Sequence, residues 1–155
     1  NVSKKILQNK KEKTGYLATI LGKKEQVSYF RLQLNHQGEA KMSDKIIKLV
    51  DEAAKLLDEK KAKDIVVVDV RNIFPISDFF IIASGGSTTQ VKALADHVEK
   101  KMKEYNIFPA RVEGHQEGRW ILVDYVDFIV HVFHEEEREF YKLERFWGDA
   151  PQKNY

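Results

Sequence analysis

The 155-residue chain contains no cysteine. This absence excludes disulfide bonds, thiolate nucleophiles and every zinc site built on sulfur ligands, and it is consistent with a reducing compartment. Any chemistry must therefore use histidine, carboxylate or hydroxyl groups.

The chain also lacks long apolar runs. No run approaches the roughly 20 apolar residues that a membrane-spanning helix needs, and the lysine-rich N-terminus has no continuous apolar segment of the kind that forms a secretory signal. We therefore expect a cytoplasmic protein without membrane contact. Its 43% hydrophobic content is sufficient for the core of one ordinary domain.

Charge is distributed unevenly along the chain. Residues 1–41 carry nine Lys and Arg against three Asp and Glu, a net +6, whereas residues 42–155 carry 17 against 21, a net −4. Because residues 1–41 have no sustained hydrophobic period, we expect a basic, poorly ordered N-terminal extension followed by a folded domain.

Two alternatives for the extension stay open. Its clustered lysines are suited to contact with nucleic acid. Alternatively, the extension is a translated leader and the native protein starts at Met42. This hypothesis rests on residues 37–39, which can be encoded by a purine-rich ribosome-loading sequence. The intact mass of the protein from its natural host tests the leader hypothesis.

The pattern from Met42 onward predicts a helix followed by two strands. Ser43 or Asp44 can cap the helix, whose apolar residues recur at i, i+3, i+4 and i+7: Ile46, Leu49, Val50, Ala53 and Leu57. The β-branched run over residues 64–70 predicts a strand that is covered on both faces. Residues 78–83 predict a second strand, which ends before two glycines.

A second helix and three further strands complete the predicted domain. Ser87 or Thr88 caps the helix, and its apolar stripe contains Val91, Leu94, Ala95, Val98, Met102 and Tyr105. The segments PARVEG, RWILVD and DFIVHVF predict strands, and a terminal helix carries Phe140, Leu143 and Trp147 on one side. This order predicts a single-domain α/β sandwich with a mixed five-stranded sheet.

The segment Gly85-Gly86-Ser87 lies between a predicted strand and a predicted helix, where backbone N–H groups attract anions. It lacks the lysine of a P-loop and the spaced glycines of a dinucleotide site. We therefore interpret it as a helix cap rather than a phosphate-binding turn.

The segment HVFHEEER, residues 131–138, contains the residue types of a metal site. Alternation along a strand places His131 and His134 on opposite faces, so the two imidazoles do not converge. Arg138 occupies the position at which an H-E-x-x-H zinc site needs its second histidine. We predict no metal site and a partly buried His131 that hydrogen-bonds near a carboxylate. Glutamates 135–137 begin the terminal helix and can also form a surface for a basic partner.

The strands RWILVD and DFIVHVF are joined only by Tyr125-Val126. This places Tyr125 at the predicted hairpin tip, with Asp124 and Asp127 at its corners. Two-residue hairpins prefer Asn-Gly or Asp-Gly because positive φ angles are required, so a Tyr-Val turn indicates a role in contact. Trp120 shares a strand face with Asp124 and is either part of an aromatic, acidic protein-binding hot spot or a core residue.

Four segments together resemble the Iojap-like ribosomal silencing factors. They are KKAKDIVVVDVR, DFFIIASGGSTTQVKALADHV, EGHQEGRWILVDYVDFIVHVFHEEEREFY and LERFWGDAP. The resemblance covers essentially all of residues 42–151 and does not extend to residues 1–41. It identifies residues 42–155 as a ribosomal silencing factor domain and implies a nucleotidyltransferase-like fold that is catalytically inactive and has no cofactor. It also implies a homodimer.

The resemblance implies binding to the large ribosomal subunit through a ribosomal protein on the subunit-joining face. The bound factor sterically blocks association with the small subunit and represses translation under nutrient limitation. The residues that match the family's hairpin and C-terminal signatures, and are therefore expected to bind the partner, are Trp120, Asp124, Tyr125, Asp127, His131, Glu137, Arg138, Tyr141, Trp147, Gly148 and Asp149. Val126 departs from the family, since many members have glycine there.

The charge of the predicted domain favours the same kind of partner. A domain of net −4 is unsuited to neutralising phosphates. We therefore expect a basic ribosomal protein as partner and no sequence-specific contact with nucleic acid.

Two other functions fit the sequence less well. An active nucleotidyltransferase is suggested by Gly86-Ser87 and the implied fold, but its chemistry needs paired carboxylates on a strand to hold a divalent metal. The next acid after Ser87 is Asp96, on a predicted helix, and Asp124 and Asp127 bracket a turn. A third hypothesis is a dimeric adaptor for another basic protein, because the sequence by itself does not identify the partner.

Overall fold

The computed structural model describes the backbone of residues 36–71 and 77–155, and the side chains from residue 43 onward within those ranges, apart from Phe146. The chain divides into two units, Asn1–Lys41 and Met42–Tyr155, and the account below is of the second. The extension was predicted over residues 1–41, of which residues 1–35 lie outside the described residues, whereas residues 36–41 are helical. The translated leader and the start at Met42 stay predictions.

The first helix, α1 (His36–Glu59), begins ahead of the cap predicted at Ser43 or Asp44. Its predicted apolar stripe is buried except for Leu49, which is half-buried and packs against the core. The i, i+3, i+4 spacing therefore identified the buried face of α1 but not its first residue, because an amphipathic stripe carries no information on where a helix starts.

The second helix, α2 (Thr88–Glu104), begins where the sequence predicts. The Ser87 hydroxyl accepts a hydrogen bond from the Gln90 N–H at 3.1 Å, which is the geometry of an N-cap. The predicted stripe from Val91 to Met102 is buried. Tyr105 is the exception, because it caps the C-terminus of α2 and its side chain is exposed.

The sheet has six strands, one more than predicted. They are β1 (Lys63–Asp69), β2 (Phe79–Gly85), β3 (Arg111–Glu113), β4 (Trp120–Asp124), β5 (Phe128–His134) and β6 (Gln152–Asn154), in the spatial order β3-β4-β5-β2-β1-β6. The β2–β5 pair is parallel and the other pairs are antiparallel. The predicted mixed α/β fold is thereby confirmed.

The additional strand, β6, pairs with β1 at one edge of the sheet. All of its residues are exposed, and none is apolar. A strand of this kind has no hydrophobic alternation to reveal it, because it is held by backbone hydrogen bonds such as that from the Tyr155 N–H to the Ile65 carbonyl at 3.1 Å.

Helices α1 and α2 share one apolar core with a single face of the sheet. That core contains alternate strand residues such as Ile81, Ile121 and Val130, together with Leu57 of α1 and Leu94 of α2. The strand residues between them, including Phe80 and Leu122, point to the other face and are also buried.

The C-terminal segment crosses that other face in two short helices. Helix α3 (Glu135–Tyr141) ends at Lys142, whose φ of 45° and ψ of 49° place it in the left-handed region, and a 3₁₀-helix (Leu143–Trp147) follows. The prediction of one continuous terminal helix is therefore wrong. Because the chain changes direction at Lys142, Leu143 is buried whereas Phe140 is 58% exposed.

Within the described residues, no helix is long and apolar enough to cross a membrane.

Candidate partner-binding surface

The β4–β5 hairpin turns at Val126 and Asp127. The Tyr125 N–H donates a hydrogen bond to the Phe128 carbonyl at 3.0 Å, so these two residues form the closing pair. Tyr125 therefore does not occupy the tip, and the predicted turn is displaced by one position. The hydrogen-bond register decides where a hairpin turns, and the positions of the flanking aspartates do not reveal it.

Tyr125 is a core residue. Its side chain is 7% exposed and its ring stacks on Phe128, with centroids 4.8 Å apart. The phenol oxygen is buried and has no hydrogen-bond partner in the described part of the chain. Burial raises the pKa of Tyr125 far above its usual value, and the nearby Glu99 carboxylate raises it further. In this fold the ring offers little exposed surface to a partner.

Val126 takes the exposed place that the sequence assigns to Tyr125. Its side chain is 39% exposed and its φ is 72°. The Asp127 N–H donates to the Tyr125 carbonyl at 2.9 Å across Val126, which forms a tight turn of the strained γ type. The Asp124 carboxylate accepts the Val126 N–H at 2.7 Å and helps to hold this conformation. Glycine adopts positive φ without the steric cost that a β-branched side chain has there.

Replacing Val126 with glycine should raise the free energy of unfolding by about 1 kcal/mol, because a β-branched residue at positive φ costs roughly 1–2 kcal/mol that glycine avoids. Urea denaturation measures the change. Val112→Gly in β3 is the control and should lower stability, since a regular strand position gains nothing from glycine. A loss of stability in Val126→Gly would contradict the strain.

An aromatic cluster covers the face of the sheet opposite α1 and α2. Trp120 stacks on Phe133 with ring centroids 4.7 Å apart, and its indole N–H donates to Nδ1 of His131 at 3.2 Å. Trp120 is buried, as one of its two sequence interpretations predicts, whereas His131 is fully buried instead of partly buried. The members of this aromatic cluster are Phe80, Trp120, His131, Phe133, Tyr141 and Trp147.

The glutamates at the start of α3 are paired with cations on the sheet. Glu135 lies 2.6 Å from the Lys63 ammonium. Arg119 contacts both Glu136 at 2.8 Å and Glu137 at 2.6 Å. The pKa of Arg119 is raised by these two carboxylates, Glu137 first, and the pKa of Glu136 is lowered by Arg119. The run of acids therefore fastens α3 to the sheet, which reduces its availability to a basic partner.

Arg138 has a similar fastening role. Its Nε donates to Glu144 in the 3₁₀-helix at 2.9 Å, and its Nη1 donates to the Ser84 hydroxyl at the end of β2 at 2.9 Å. Only 11% of the Arg138 side chain is exposed. The guanidinium therefore ties α3, the 3₁₀-helix and β2 together, and it borders a charged groove of about 430 Å³.

The structure brings most of the residues that match the two family signatures, though not Tyr125, onto one face of the sheet. In the strand register, Phe80 lies beside Ile129 and Ile129 lies beside Asp124, so the three form a row across the sheet. The Trp147 ring packs edge-on against Phe80, the first residue of this row, with ring centroids 5.6 Å apart. Gly148 and Asp149 follow Trp147 and are exposed.

The predicted site residues thus fall into two groups. Most build the scaffold, because they are buried or are engaged in ion pairs and ring contacts: Trp120, Asp124, Tyr125, His131, Glu137, Arg138, Tyr141 and Trp147. The second group contains the exposed Gly148 and Asp149 and the half-buried Asp127, whose Oδ1 is buried. The assignment of all of them to a partner surface stays a prediction.

Sequence reasoning did not identify Arg119 as an ion-pair partner or Phe108 as an exposed aromatic residue. Arg119 is the cation that holds Glu136 and Glu137, and Phe108 is 61% exposed at the end of the sheet that carries the hairpin turn. No local sequence pattern indicates the ion pairs of Arg119 or the exposure of Phe108. Arg119 differs from any strand-end arginine only by its distant partners, and an aromatic residue in an apolar stretch is usually buried.

The turn before α2 is built as a helix cap. The Gly86 N–H, which would face an anion, donates instead to the Gln90 side-chain oxygen at 2.8 Å. Asp96 lies on α2 and contacts His115 at 2.7 Å. The described residues contain no group of three or more His, Asp or Glu side chains placed to hold a metal ion.

Comparison with known proteins identifies the family of this chain. Residues 43–155 match the sequence profile of the family described as ribosomal silencing factor during starvation. The chain belongs to the ribosomal silencing factor family. This membership supports a ribosome-associated silencing role and points to a regulatory factor rather than an enzyme.

Individual relatives extend over most of the described domain. The ribosomal silencing factor of Halalkalibacterium halodurans is 44% identical over 66% of this chain and 88% of its own length. A mouse protein named for mitochondrial assembly of the ribosomal large subunit is 31% identical over 63% of this chain and 44% of its own length. A crystal structure of a Chromobacterium violaceum protein, 40% identical, superposes with a TM-score of 0.62 over 68% of this chain and 85% of the other. This silencing factor thus shares its fold with solved relatives.

Proposed function

We propose that this protein binds the large ribosomal subunit through a basic ribosomal protein on the subunit-joining face. Bound there, it occupies surface that the small subunit needs, and it represses translation under nutrient limitation. The match of residues 43–155 to the ribosomal silencing factor family carries the proposal. No bond is made or broken in this mechanism.

Charge supports a protein partner. Residues 42–155 carry a net charge of −4, and Lys63, Arg119 and Arg138 are already paired with carboxylates in the fold. Cations engaged in this way are poorly placed to neutralise phosphates. A basic protein surface instead gains favourable electrostatic steering toward an acidic domain.

The C-terminal segment, residues 135–147, is held to the sheet by side-chain contacts, which supports binding by a surface that is already ordered. Three separate contacts hold it to the sheet and the residue that precedes β4: the ion pair of Glu137 with Arg119, the hydrogen bond from Arg138 to the Ser84 hydroxyl, and the packing of Tyr141 on Trp120, with ring centroids 5.0 Å apart. A surface that is ordered before binding loses little conformational entropy when the partner docks. We further propose that the factor acts as a homodimer in the cytoplasm, which light scattering of the purified protein tests.

Sedimentation with purified ribosomal subunits tests the proposed function. The protein should pellet with isolated large subunits and not with small subunits, and preincubation of large subunits with the protein should reduce the yield of joined ribosomes when small subunits are added. Failure to pellet with large subunits would overturn the proposal. Magnesium-dependent turnover of nucleoside triphosphates by the purified protein would show an enzyme instead.

A further inference from the structure

One end of the sheet carries exposed apolar side chains beside the hairpin turn. We call this surface the hairpin end and define it by Phe108, Val126 and the charged residues Asp78, Arg111 and Asp127. The Phe108 side chain is 61% exposed and that of Val126 is 39% exposed. Large apolar side chains that are exposed at one end of a sheet are candidates for a contact surface.

The strand register places Phe108 and Val126 at the same end of the sheet. Arg111 pairs with Asp124 between β3 and β4, and the Ala110 N–H donates to the Asp124 carbonyl at 2.7 Å. Ala110, which immediately precedes β3, therefore lies beside the end of β4. Because the strands run in opposite directions, Phe108 precedes Ala110 on the same side on which Val126 follows Asp124.

The hairpin end is held in place from two sides. The Ser77 hydroxyl donates to the Val126 carbonyl at 3.1 Å, and the Asp78 N–H donates to the Asp127 carbonyl at 2.9 Å. The Asp124 carboxylate accepts the Val126 N–H within the turn. The turn that presents Val126 is thus ordered without a partner, so binding requires little further ordering of its backbone.

Carboxylates outnumber guanidinium groups at this end of the sheet. Asp69, Asp78 and Asp127 lie at the adjacent ends of β1, β2 and β5, against Arg71 and Arg111, whereas Asp124 at the end of β4 is buried. Arg71 is engaged with Asp69 at 2.6 Å. An apolar centre within an acidic surrounding complements a basic protein surface that offers an apolar side chain or shallow apolar pocket.

We propose that the hairpin end is a docking surface on which Phe108 is the principal apolar contact and Val126 a secondary one, for a partner protein whose matching surface is apolar at its centre and rich in lysine or arginine around it. The inference rests on the proposed function, because it names the surface through which this factor meets its ribosomal protein. It moves the contact from Tyr125, which is buried, to residues that solvent reaches.

Phe108→Ser tests the assignment, with Phe140→Ser as its matched control. Phe140 lies on α3, and its exposed fraction of 58% is similar to the 61% of Phe108. Both changes remove an exposed ring, and exposed substitutions usually alter stability by less than about 0.5 kcal/mol. Retention on isolated large ribosomal subunits should fall by about tenfold or more for Phe108→Ser, the effect of losing an interfacial hot-spot residue, and should be unchanged for Phe140→Ser. Phe108→Leu, which keeps most of the apolar area, should retain most of the binding.

The outcomes separate the two proposals. If the wild-type protein binds large subunits and Phe108→Ser binds equally well, or if Phe140→Ser loses as much binding as Phe108→Ser, the hairpin end is not the docking surface while the proposed function stands. If the wild-type protein itself is not retained, the proposed function fails and this surface loses its partner with it. Urea denaturation of both variants verifies that neither change unfolds the domain.

Discussion

Replacing Trp120 with alanine should lower the free energy of unfolding by about 3–5 kcal/mol, the usual cost of removing a large buried aromatic ring. The change removes the stack on Phe133 and the contact with Tyr141, with ring centroids 4.7 Å and 5.0 Å apart. It also removes the indole N–H that donates to the fully buried His131, and a buried polar atom that loses its partner adds to the cost. Urea denaturation followed by circular dichroism measures the loss.

Phe140→Ala is the control for this change. It also deletes an aromatic ring near the C-terminal segment, but from an exposed position, so the expected change is within about 0.5 kcal/mol. Trp120→Phe should fall between the two, because it keeps an apolar ring and loses the donor. A loss below about 1 kcal/mol for Trp120→Ala would show that the C-terminal segment does not depend on this ring.

The second large effect concerns Tyr125, where two substitutions should act in opposite directions. Tyr125→Ala should cost roughly 3–5 kcal/mol, because it empties a core position beside Phe128. Tyr125→Phe should raise the free energy of unfolding by about 1 kcal/mol, since it deletes a buried hydroxyl that has no hydrogen-bond partner in the described part of the chain. Thermal and urea unfolding of the two variants measure both signs.

The two Tyr125 variants determine how a loss of binding at this position should be interpreted. A binding defect in Tyr125→Ala would reflect a damaged fold, not a lost contact, because the ring is buried. Tyr125→Phe should keep full retention on large ribosomal subunits while becoming more stable. Lost retention in Tyr125→Phe with an intact fold would show that the hydroxyl itself meets the partner, which would contradict the burial seen here.

The sequence was most informative where one physical pattern dominated. The i, i+3, i+4 stripe of α2 and its Ser87 cap were predicted correctly, since both depend on neighbouring residues only. The β-branched runs identified β1, β2, β4 and β5 for the same reason. β6 escaped prediction because it is a polar edge strand, held by backbone pairing with β1.

The candidate site was harder to predict because its behaviour depends on distant partners. Glu136 and Glu137 form an acidic run in the sequence, yet both meet Arg119, which precedes β4. Only the fold brings these charges within hydrogen-bonding distance. The same applies to Arg138, which joins Ser84 of β2 to Glu144 of the 3₁₀-helix.

The amino-acid sequence alone excluded cysteine chemistry within these 155 residues, and it determined most of the order of helices and strands and the family to which the chain belongs. It also identified the stretch from Trp120 to Asp127 as informative. Tertiary structure alone decided which of those residues meet solvent. Alternation in a strand shows which side chains share a face, but not whether that face is covered or where the ladder closes into a turn. Because the register closes at Tyr125 and Phe128, the tyrosine enters the core and Val126 is left at the surface.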